Sequence, residues 1–208
     1  MTGYTPISKL SIRILVLLVS KSIISCILDF FTYCNFKIFS ENLKIIGLSL
    51  HPQARIVGDL NTKNFQISGN VFIGMFTVLA IGNDERGGAG TGSIIFGKNI
   101  YVGDQCNLRA TGGELKIGSN VLIANHVVIV ASNHGFSLGS PIYLQPWNNH
   151  PIGVTIEDEC WIGAHATLLP GSYISKGAII AAGAVVNCHV PPNEIWGGIP
   201  AKRISVRK

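Results

Sequence analysis

A six-residue hydrophobic repeat runs through the C-terminal part of the chain. From Ile156 onward, every sixth residue is a branched aliphatic, and the residue four positions further on is small or compact. The aliphatic positions are Ile156, Ile162, Leu168, Ile174, Ile180 and Val186, and the small ones are Cys160, Ala166, Ser172, Ala178, Ala184 and Val190. A helix repeats every 3.6 residues and a strand every two, so neither produces this period. A hexapeptide repeat instead predicts an all-β parallel β-helix built from stacked coils.

The same period can be followed upstream in coils of three hexads. The inward positions of these earlier coils are Ile67, Ile73 and Leu79, then Phe96, Val102 and Leu108, then Ile117, Ile123 and Ile129. The spacing between coils predicts insertions of 11 residues around 83–92, 3 around 112–115 and 21 between about 135 and 154. The segment 134–153 carries two His, a Trp, a Tyr and three Pro. A long loop in a regular coil is usually functional.

The repeat sets the predicted boundaries. Residues 1–45 form an N-terminal helical or amphipathic segment, 46–192 the β-helix with its inserted loop 135–153, and 193–208 a basic C-terminal tail. Residues 41–66 have no clean period and indicate an irregular first coil. Pro191 and Pro192 are expected to end strand pairing, because proline cannot donate to a β-ladder.

Residues 11–32 are the most apolar stretch. The uninterrupted run Ile14–Val19 is much shorter than the ~20 residues that span a bilayer, and Lys21 argues against a secretory signal or a lipoprotein cleavage site at Cys26. Two interpretations stay open: a short helix that packs on the core or on a neighbouring subunit, and a helix that lies on the cytoplasmic membrane face. We favour packing with some membrane contact.

Composition narrows the classes of partner. The net charge of +5 suits an anionic cofactor or a membrane surface, but only 13% of the 208 residues are charged. Aromatic residues are few and are not interleaved with Lys or Arg, so no nucleic-acid partner is expected. The five cysteines are odd in number and form no CxxC pair, which is typical of buried thiols in the cytoplasm.

Four motifs carry a resemblance to a known family. They are W-I-G-A-x-A-T-x-L-P-G at 161–171, A-A-G-A-V-V at 181–186, V-P-P-N at 190–193 and G-x-P-A-K at 198–202. Together they resemble the hexapeptide-repeat acyltransferases, which include maltose, galactoside and nodulation-factor acetyltransferases. Residues 65–205 look most like the branch that acetylates O-antigen, capsule or colanic-acid polysaccharides.

The resemblance implies more than the period does. It implies a left-handed β-helix, a homotrimer, acetyl-CoA as co-substrate without a metal, and a sugar or polysaccharide acceptor that receives an O-acetyl group. It specifies the acceptor weakly, so N-acetylation of an amino sugar and xenobiotic acetylation stay open. A non-catalytic β-helix scaffold is a further alternative.

His134 is the candidate catalytic residue. It ends the hexad that begins at Ile129, where the 21-residue insertion leaves the coil. The resemblance implies that it is the general base that removes the proton from an acceptor hydroxyl, a task suited to imidazole near neutral pH. The alternative is a loop histidine that caps a turn. No Asp or Glu is close in sequence, so a backbone carbonyl or Asn133 is expected to orient the ring.

The resemblance also implies a set of cofactor residues. Trp161 matches a tryptophan that lines the acetyl-CoA tunnel, and Ala164 and Ala182 match positions whose backbone groups bind the pantetheine arm. Lys202 and Arg203 match the basic end that meets the nucleotide phosphates. The alternatives are an interface aromatic, two corner residues and a solvated tail.

The acceptor pocket is less well specified. Asn107 and Arg109 lie one coil before His134 and are candidate substrate-binding residues. Asn187 and Cys188 stand where relatives commonly have Thr-Lys or Thr-Arg, so one cation near the cofactor is missing.

Two further histidines occupy equivalent positions. His126 and His165 are each the fourth residue of the second hexad in consecutive coils, which predicts a stacked pair about 5 Å apart. Together with His134 they could hold a metal, as in the related γ-class carbonic anhydrases. We favour a surface ladder near the acceptor cleft.

Overall fold

A computed structural model describes residues 47–58, 64–82, 92–148 and 152–208. The predictions for the N-terminal segment 1–45, including its apolar stretch 11–32, and for most of the first insertion fall outside these residues. The described part of the chain is all-β apart from one 3₁₀ turn, Ile142–Leu144. It contains no helix with the length and hydrophobicity needed to cross a membrane.

Short parallel strands form three faces around one core. Strands β3 (Phe65–Ile73) and β5 (Ser93–Val102) bend through a corner and contribute to faces one and two. The other strands of face one are β7 (Glu114–Ile117), β12 (Val154–Ile156), β15 (Tyr173–Ile174) and β18 (His189–Val190). Those of face two are β1 (Leu48–Leu50), β8 (Leu122–Ile123), β13 (Trp161–Ile162), β16 (Ile179–Ile180), β19 (Glu194–Gly197) and β20 (Lys202–Val206). Face three contains β2 (Arg55–Gly58), β4 (Val78–Gly82), β6 (Asn107–Thr111), β9 (Val128–Val130), β14 (Thr167–Leu168) and β17 (Val185–Val186).

The strand register confirms the predicted phase of the repeat. On face one, Ile156 pairs with Ile117 on one side and with Ile174 on the other. On face three, Leu168 lies between Ile129 and Val186. The predicted inward aliphatics from Ile73 to Val186 are at most 1% exposed. Equivalent side chains therefore form continuous apolar columns inside the coil.

The corners explain the small positions of the repeat. Glu159 and His165 have φ angles of 62° and 60°, and each precedes a small residue, Cys160 or Ala166, that is at most 1% exposed. A left-handed conformation costs about 1–2 kcal/mol for a residue other than glycine. Side-chain hydrogen bonds between coils offset part of this cost; for example, Asp158 Oδ1 accepts the backbone N–H of Ser119 at 2.6 Å.

The predicted irregular first coil is more regular than its sequence indicates. Leu50 pairs with Ile73, and Ile56 pairs with Leu79, so both follow the columns of the later coils. The prediction failed because Leu50 and Ile56 form a single hexad, which is too short to establish a period.

The prediction that Pro191 and Pro192 end the pairing is wrong. Val190 pairs with Ile174, and Trp196 pairs with Ile180 beyond the two prolines. The prolines lie between β18 and β19, where no ladder bond is required of them. The basic tail then forms β20, which runs antiparallel to β19.

Truncation of Leu168 tests the inward column. Its side chain is fully buried, whereas the neighbouring Leu169 is half-buried. Leu168→Ala should lower the free energy of unfolding by about 2–5 kcal/mol because it leaves a cavity. Leu169→Ala is the matched control and should cost about 1 kcal/mol. Equal losses in denaturant titrations would contradict the assigned register.

The pH dependence of stability tests the burial of Cys160. Burial raises the pKa of this thiol from 9.0 to about 11. The unfolded chain therefore loses this proton first as the pH rises, and the contribution to stability is complete below pH 9 and is lost toward pH 11. Cys160→Ala should weaken the decline of stability over this range, as measured by denaturant titration at each pH. An identical decline in the wild type and the variant would contradict the raised pKa of the buried Cys160 thiol.

Candidate active site

The third insertion forms a hairpin at the end of face three. Strands β10 (Asn133–His134) and β11 (Trp147–Asn148) pair antiparallel, with His134 opposite Trp147. Gln145 is 7% exposed and organises the loop between them. Its side chain accepts from Ser137 N–H and donates to the carbonyls of Ser137 and Ser140, at 2.8–2.9 Å. Hydrogen bonds within the loop therefore stabilise the hairpin.

The His134 ring stacks on Trp147. The ring centroids are 4.3 Å apart and the planes differ by 24°. Within the described residues, the His134 imidazole makes no hydrogen bond or ion pair. The expected orientation by Asn133 or a backbone carbonyl is therefore wrong for these residues, and the described contact of the ring is its stack on the indole of Trp147.

Gly112 leaves room for the indole. A Cβ at this position would lie 3.1 Å from Trp147 Cγ and 3.2 Å from Ser132 Oγ. The φ of Gly112 is +75°, a conformation that favours glycine. Ser132 Oγ donates to the carbonyl of Thr111 and so ties the start of the insertion to the preceding coil.

The insertion carries apolar side chains and no charge. Phe136, Leu138, Ile142, Tyr143 and Leu144 are 59–102% exposed. No Asp, Glu, Lys or Arg occurs between Lys116 and Glu157. The surroundings of His134 are therefore suited to a neutral ligand.

Trp161 lies in the middle of an apolar ladder on the outside of face two. It is 48% exposed and pairs with Leu122 and Ile179. The ladder consists of Phe72, Tyr101, Leu122, Trp161, Ile179 and Ile195. Its first two rings stack with centroids 5.3 Å apart.

Ala164 and Ala182 lie at the corner between faces two and three. They occupy equivalent positions in successive coils, and Gly183 N–H donates to the Ala164 carbonyl at 2.8 Å. Ala182 is exposed and Ala164 half-buried. Small side chains keep the backbone of this corner open to a ligand.

The two basic candidates of the tail differ in their environment. Arg203 Nε lies 2.9 Å from Glu194 Oε1, and the indole of Trp196 donates to Glu194 Oε2 at 2.7 Å. Lys202 is exposed, and among the described residues no ion pair engages it. Lys202 is therefore better placed than Arg203 to meet an added phosphate.

Asn107 and Arg109 lie on the outer surface of face three, on β6 beside β9. They pair with Val128 and Val130, the strand that leads to His134. Arg109 is exposed, and Asn107 Oδ1 is buried with no hydrogen-bond partner in the part of the chain that the structure describes. Both side chains are therefore polar groups on face three, beside the strand that His134 follows.

One chain does not bring all candidates together. Trp161, Ala164 and Ala182 lie on face two or at the corner where face three begins, whereas His134 follows the end of the face-three strand β9. The cofactor candidates and the candidate base therefore lie toward opposite edges of face three.

The predicted histidine stack is confirmed. The ring centroids of His126 and His165 are 4.5 Å apart and their planes differ by 5°. The backbone of both residues has the left-handed conformation, with φ angles of 61° and 60°. Within the described residues no three His, Cys, Asp or Glu side chains converge as a metal site. The two histidines alone supply two nitrogen ligands, one fewer than the three side chains of such a site.

Sequence reasoning missed Trp147 as a member of the site. Its contact with His134 depends on the hairpin register, which the period of six does not determine. The only signal in the sequence is a tryptophan in an uncharged insertion that begins at the candidate base.

Comparison with known proteins gives one family match. Residues 153–188 match the family described as bacterial transferase hexapeptide (six repeats). The fold also resembles the crystal structure of AntD, an N-acyltransferase from Bacillus cereus, in complex with dTDP and 3-hydroxybutyryl-CoA. The TM-score is 0.64 at 20% identity, over 81% of this chain and 88% of the other.

The sequence relatives include O-acetyltransferases and a gamma carbonic anhydrase. The protein named "Putative lipopolysaccharide biosynthesis O-acetyl transferase WbbJ" of Escherichia coli (strain K12) is 34% identical over 55% of this chain and 61% of its own length. Galactoside O-acetyltransferase of the same organism is 31% identical over 52% and 55%. Gamma carbonic anhydrase 1, mitochondrial, of Arabidopsis thaliana is 33% identical over 73% and 46%.

The matches span less than two thirds of the length of these relatives. Residues 153–188 match the bacterial transferase hexapeptide family, and the sequence relatives of the chain include proteins named as O-acetyltransferases.

Proposed function

We propose that the chain is an acetyl-CoA-dependent O-acetyltransferase that modifies a sugar hydroxyl of a surface polysaccharide or its precursor. The observation that carries the proposal is the placement of His134. Its imidazole ends a hexapeptide coil, faces an uncharged insertion and has no hydrogen-bond partner within the described residues. The O-acetyltransferase names of relatives support the same class of reaction.

His134 acts as the general base in this proposal. The neutral imidazole accepts the proton of the acceptor hydroxyl while the oxygen attacks the thioester carbonyl carbon. Backbone N–H groups stabilise the negative charge that develops on the carbonyl oxygen. When the resulting tetrahedral adduct breaks down, the carbonyl re-forms and the carbon–sulfur bond breaks. Coenzyme A leaves, and its thiolate receives the proton from His134.

The co-substrate is assigned to the outside of face two and the adjoining corner. Trp161 offers an exposed indole to the extended arm, and the backbone at Ala164 and Ala182 offers hydrogen-bonding groups. Lys202 meets a nucleotide phosphate; Arg203 does so only by exchanging Glu194 for the phosphate. A related fold with an acyl-CoA bound, that of AntD, supports this class of ligand.

The complete site lies between copies of the chain. His134 follows the end of face three and Trp161 lies on the outside of face two, so a site that uses both needs the base of one copy beside face two of another. The family resemblance implies that the left-handed β-helix assembles as a homotrimer, and such an assembly provides contacts of this kind. The apolar ladder around Trp161 supports it, because Phe72, Tyr101 and Leu122 are 37–43% exposed in a single chain.

The acceptor is assigned to the side of face three. Asn107 and Arg109 supply polar groups beside the strand that leads to His134, and the uncharged insertion suits a neutral sugar. An amino-sugar acceptor, and hence N-acetylation, remains the alternative within acyl transfer. We assign the reaction to the cytoplasm and propose that residues 11–32 contact the membrane face there.

A metal-dependent hydratase or lyase is the second candidate. The stacked pair of His126 and His165 and the similarity to a gamma carbonic anhydrase favour it. A third ligand would have to come from outside the described residues or from another copy. Stoichiometric zinc whose removal abolishes activity would support this candidate against acyl transfer.

Replacement of His134 tests the proposed reaction. His134→Ala should lower kcat for acetyl transfer about 10²–10⁴-fold because the general base is lost. Acetyl-CoA affinity, measured by calorimetry, should stay unchanged. His126→Ala is the matched control and should retain turnover. Wild-type turnover in His134→Ala would refute the assignment of the base, and absence of acetyl-CoA binding by the wild type would favour a scaffold.

Mixed oligomers test the location of the site. His134→Ala and Trp161→Ala should each be impaired alone, the second through a raised KM for acetyl-CoA. Co-expressed in equal amounts, they should recover about a quarter of wild-type activity, because random assembly gives that share of interfaces with both residues intact. No recovery in oligomers shown to be mixed would place both residues in the site of one chain.

A further inference from the structure

The insertion solves a problem that a lone catalytic histidine has. An imidazole that is free to rotate about its Cβ–Cγ bond spends little time aligned with an acceptor. Many functional histidines are fixed by a hydrogen bond from their second nitrogen to a carboxylate or a carbonyl. Within the described residues His134 has neither.

Trp147 supplies the missing constraint through contact. Its ring centroid lies 4.3 Å from that of His134, with planes 24° apart. The two residues are direct partners in the β10–β11 hairpin. The indole therefore limits the imidazole to positions in one plane, without using either ring nitrogen.

The indole is itself held in place. Gly112 lies against Trp147 Cγ so closely that an added Cβ would be only 3.1 Å away. Gln145, two residues before Trp147, joins the loop through three hydrogen bonds. Gly112 thus limits the indole on one side, Gln145 orders the loop that carries it, and the half-buried indole packs against the half-buried imidazole of His134.

We propose that Trp147 is the positioning residue of His134, and that the hairpin serves to place this indole against the base. This inference rests on the proposed acetyl transfer. The stack leaves both Nδ1 and Nε2 of His134 for proton transfer. The indole face also attracts the positive charge that the imidazole gains when it accepts the proton.

The test compares Trp147→Leu with Trp147→Phe in the full chain. Trp147→Leu should lower kcat about 10–100-fold, because misalignment of a reacting group by about 1 Å is costly. KM for acetyl-CoA should stay within about twofold of the wild-type value, since the cofactor candidates lie elsewhere. Trp147→Phe retains a ring and should recover most of the turnover. Lys116→Ala, at an exposed position of β7 on face one, is the control and should match the wild type.

Two measurements separate positioning from a structural role. The Hε1 proton of His134, assigned by its loss in His134→Ala, should be shifted upfield by the ring current of Trp147, lose this shift in Trp147→Leu and keep part of it in Trp147→Phe. In the double variant His134→Ala/Trp147→Leu, turnover should equal that of His134→Ala, because Trp147 acts through the base.

The outcomes distinguish this inference from the proposed function. Wild-type turnover in Trp147→Leu, with His134→Ala impaired, would overturn the positioning role and leave the acetyl transfer standing. Wild-type turnover in His134→Ala would refute the proposed base. A further loss in the double variant, or failure of Trp147→Phe to recover turnover while it folds, would also overturn the positioning role. If Trp147→Leu fails to fold, Trp147→Phe and its NMR shift decide.

Discussion

The hydrogen-bonded register between successive coils determines the rest of this structure. Because the strands are parallel and pair in step, each inward side chain lies on its equivalent, as Ile117, Ile156 and Ile174 do on face one. A shift by one residue would turn an entire column outward. Extra residues are therefore accommodated outside the paired strands, and an insertion leaves the core unchanged.

This constraint also explains where the candidate chemistry lies. The inward columns are aliphatic and offer no reactive group, while Cys106 and Cys160 are buried thiols whose pKa values burial raises. Reactive side chains must therefore lie on outer faces, at corners or in insertions. His134 follows β9 at the start of the hairpin, so the coil fixes its backbone position, and the indole of its β11 partner Trp147 packs against its ring.

The columns, the histidine stack and the position of His134 could be predicted because each follows from a fixed period. His126 and His165 had to meet once their hexads were in phase. Trp147 could not be found in this way, since a hairpin register depends on contacts with Gly112 and on the hydrogen bonds of Gln145. The path beyond Pro191 was missed for a related reason: the last coil is two residues shorter, which brings Val190 opposite Ile174.

Strand β20 has a consequence for the end of the coil. A coil that ends in an open β-edge presents unpaired N–H and C=O groups, onto which another chain could stack end to end. Here the chain reverses, and Lys202–Val206 covers the edge of β19 with an antiparallel strand. Lys202 at its start and Arg207 and Lys208 just after it bring like charges to the new edge, while Arg203 pairs with Glu194. On face two, residues 201–208 thus hinder end-to-end pairing of copies at this edge.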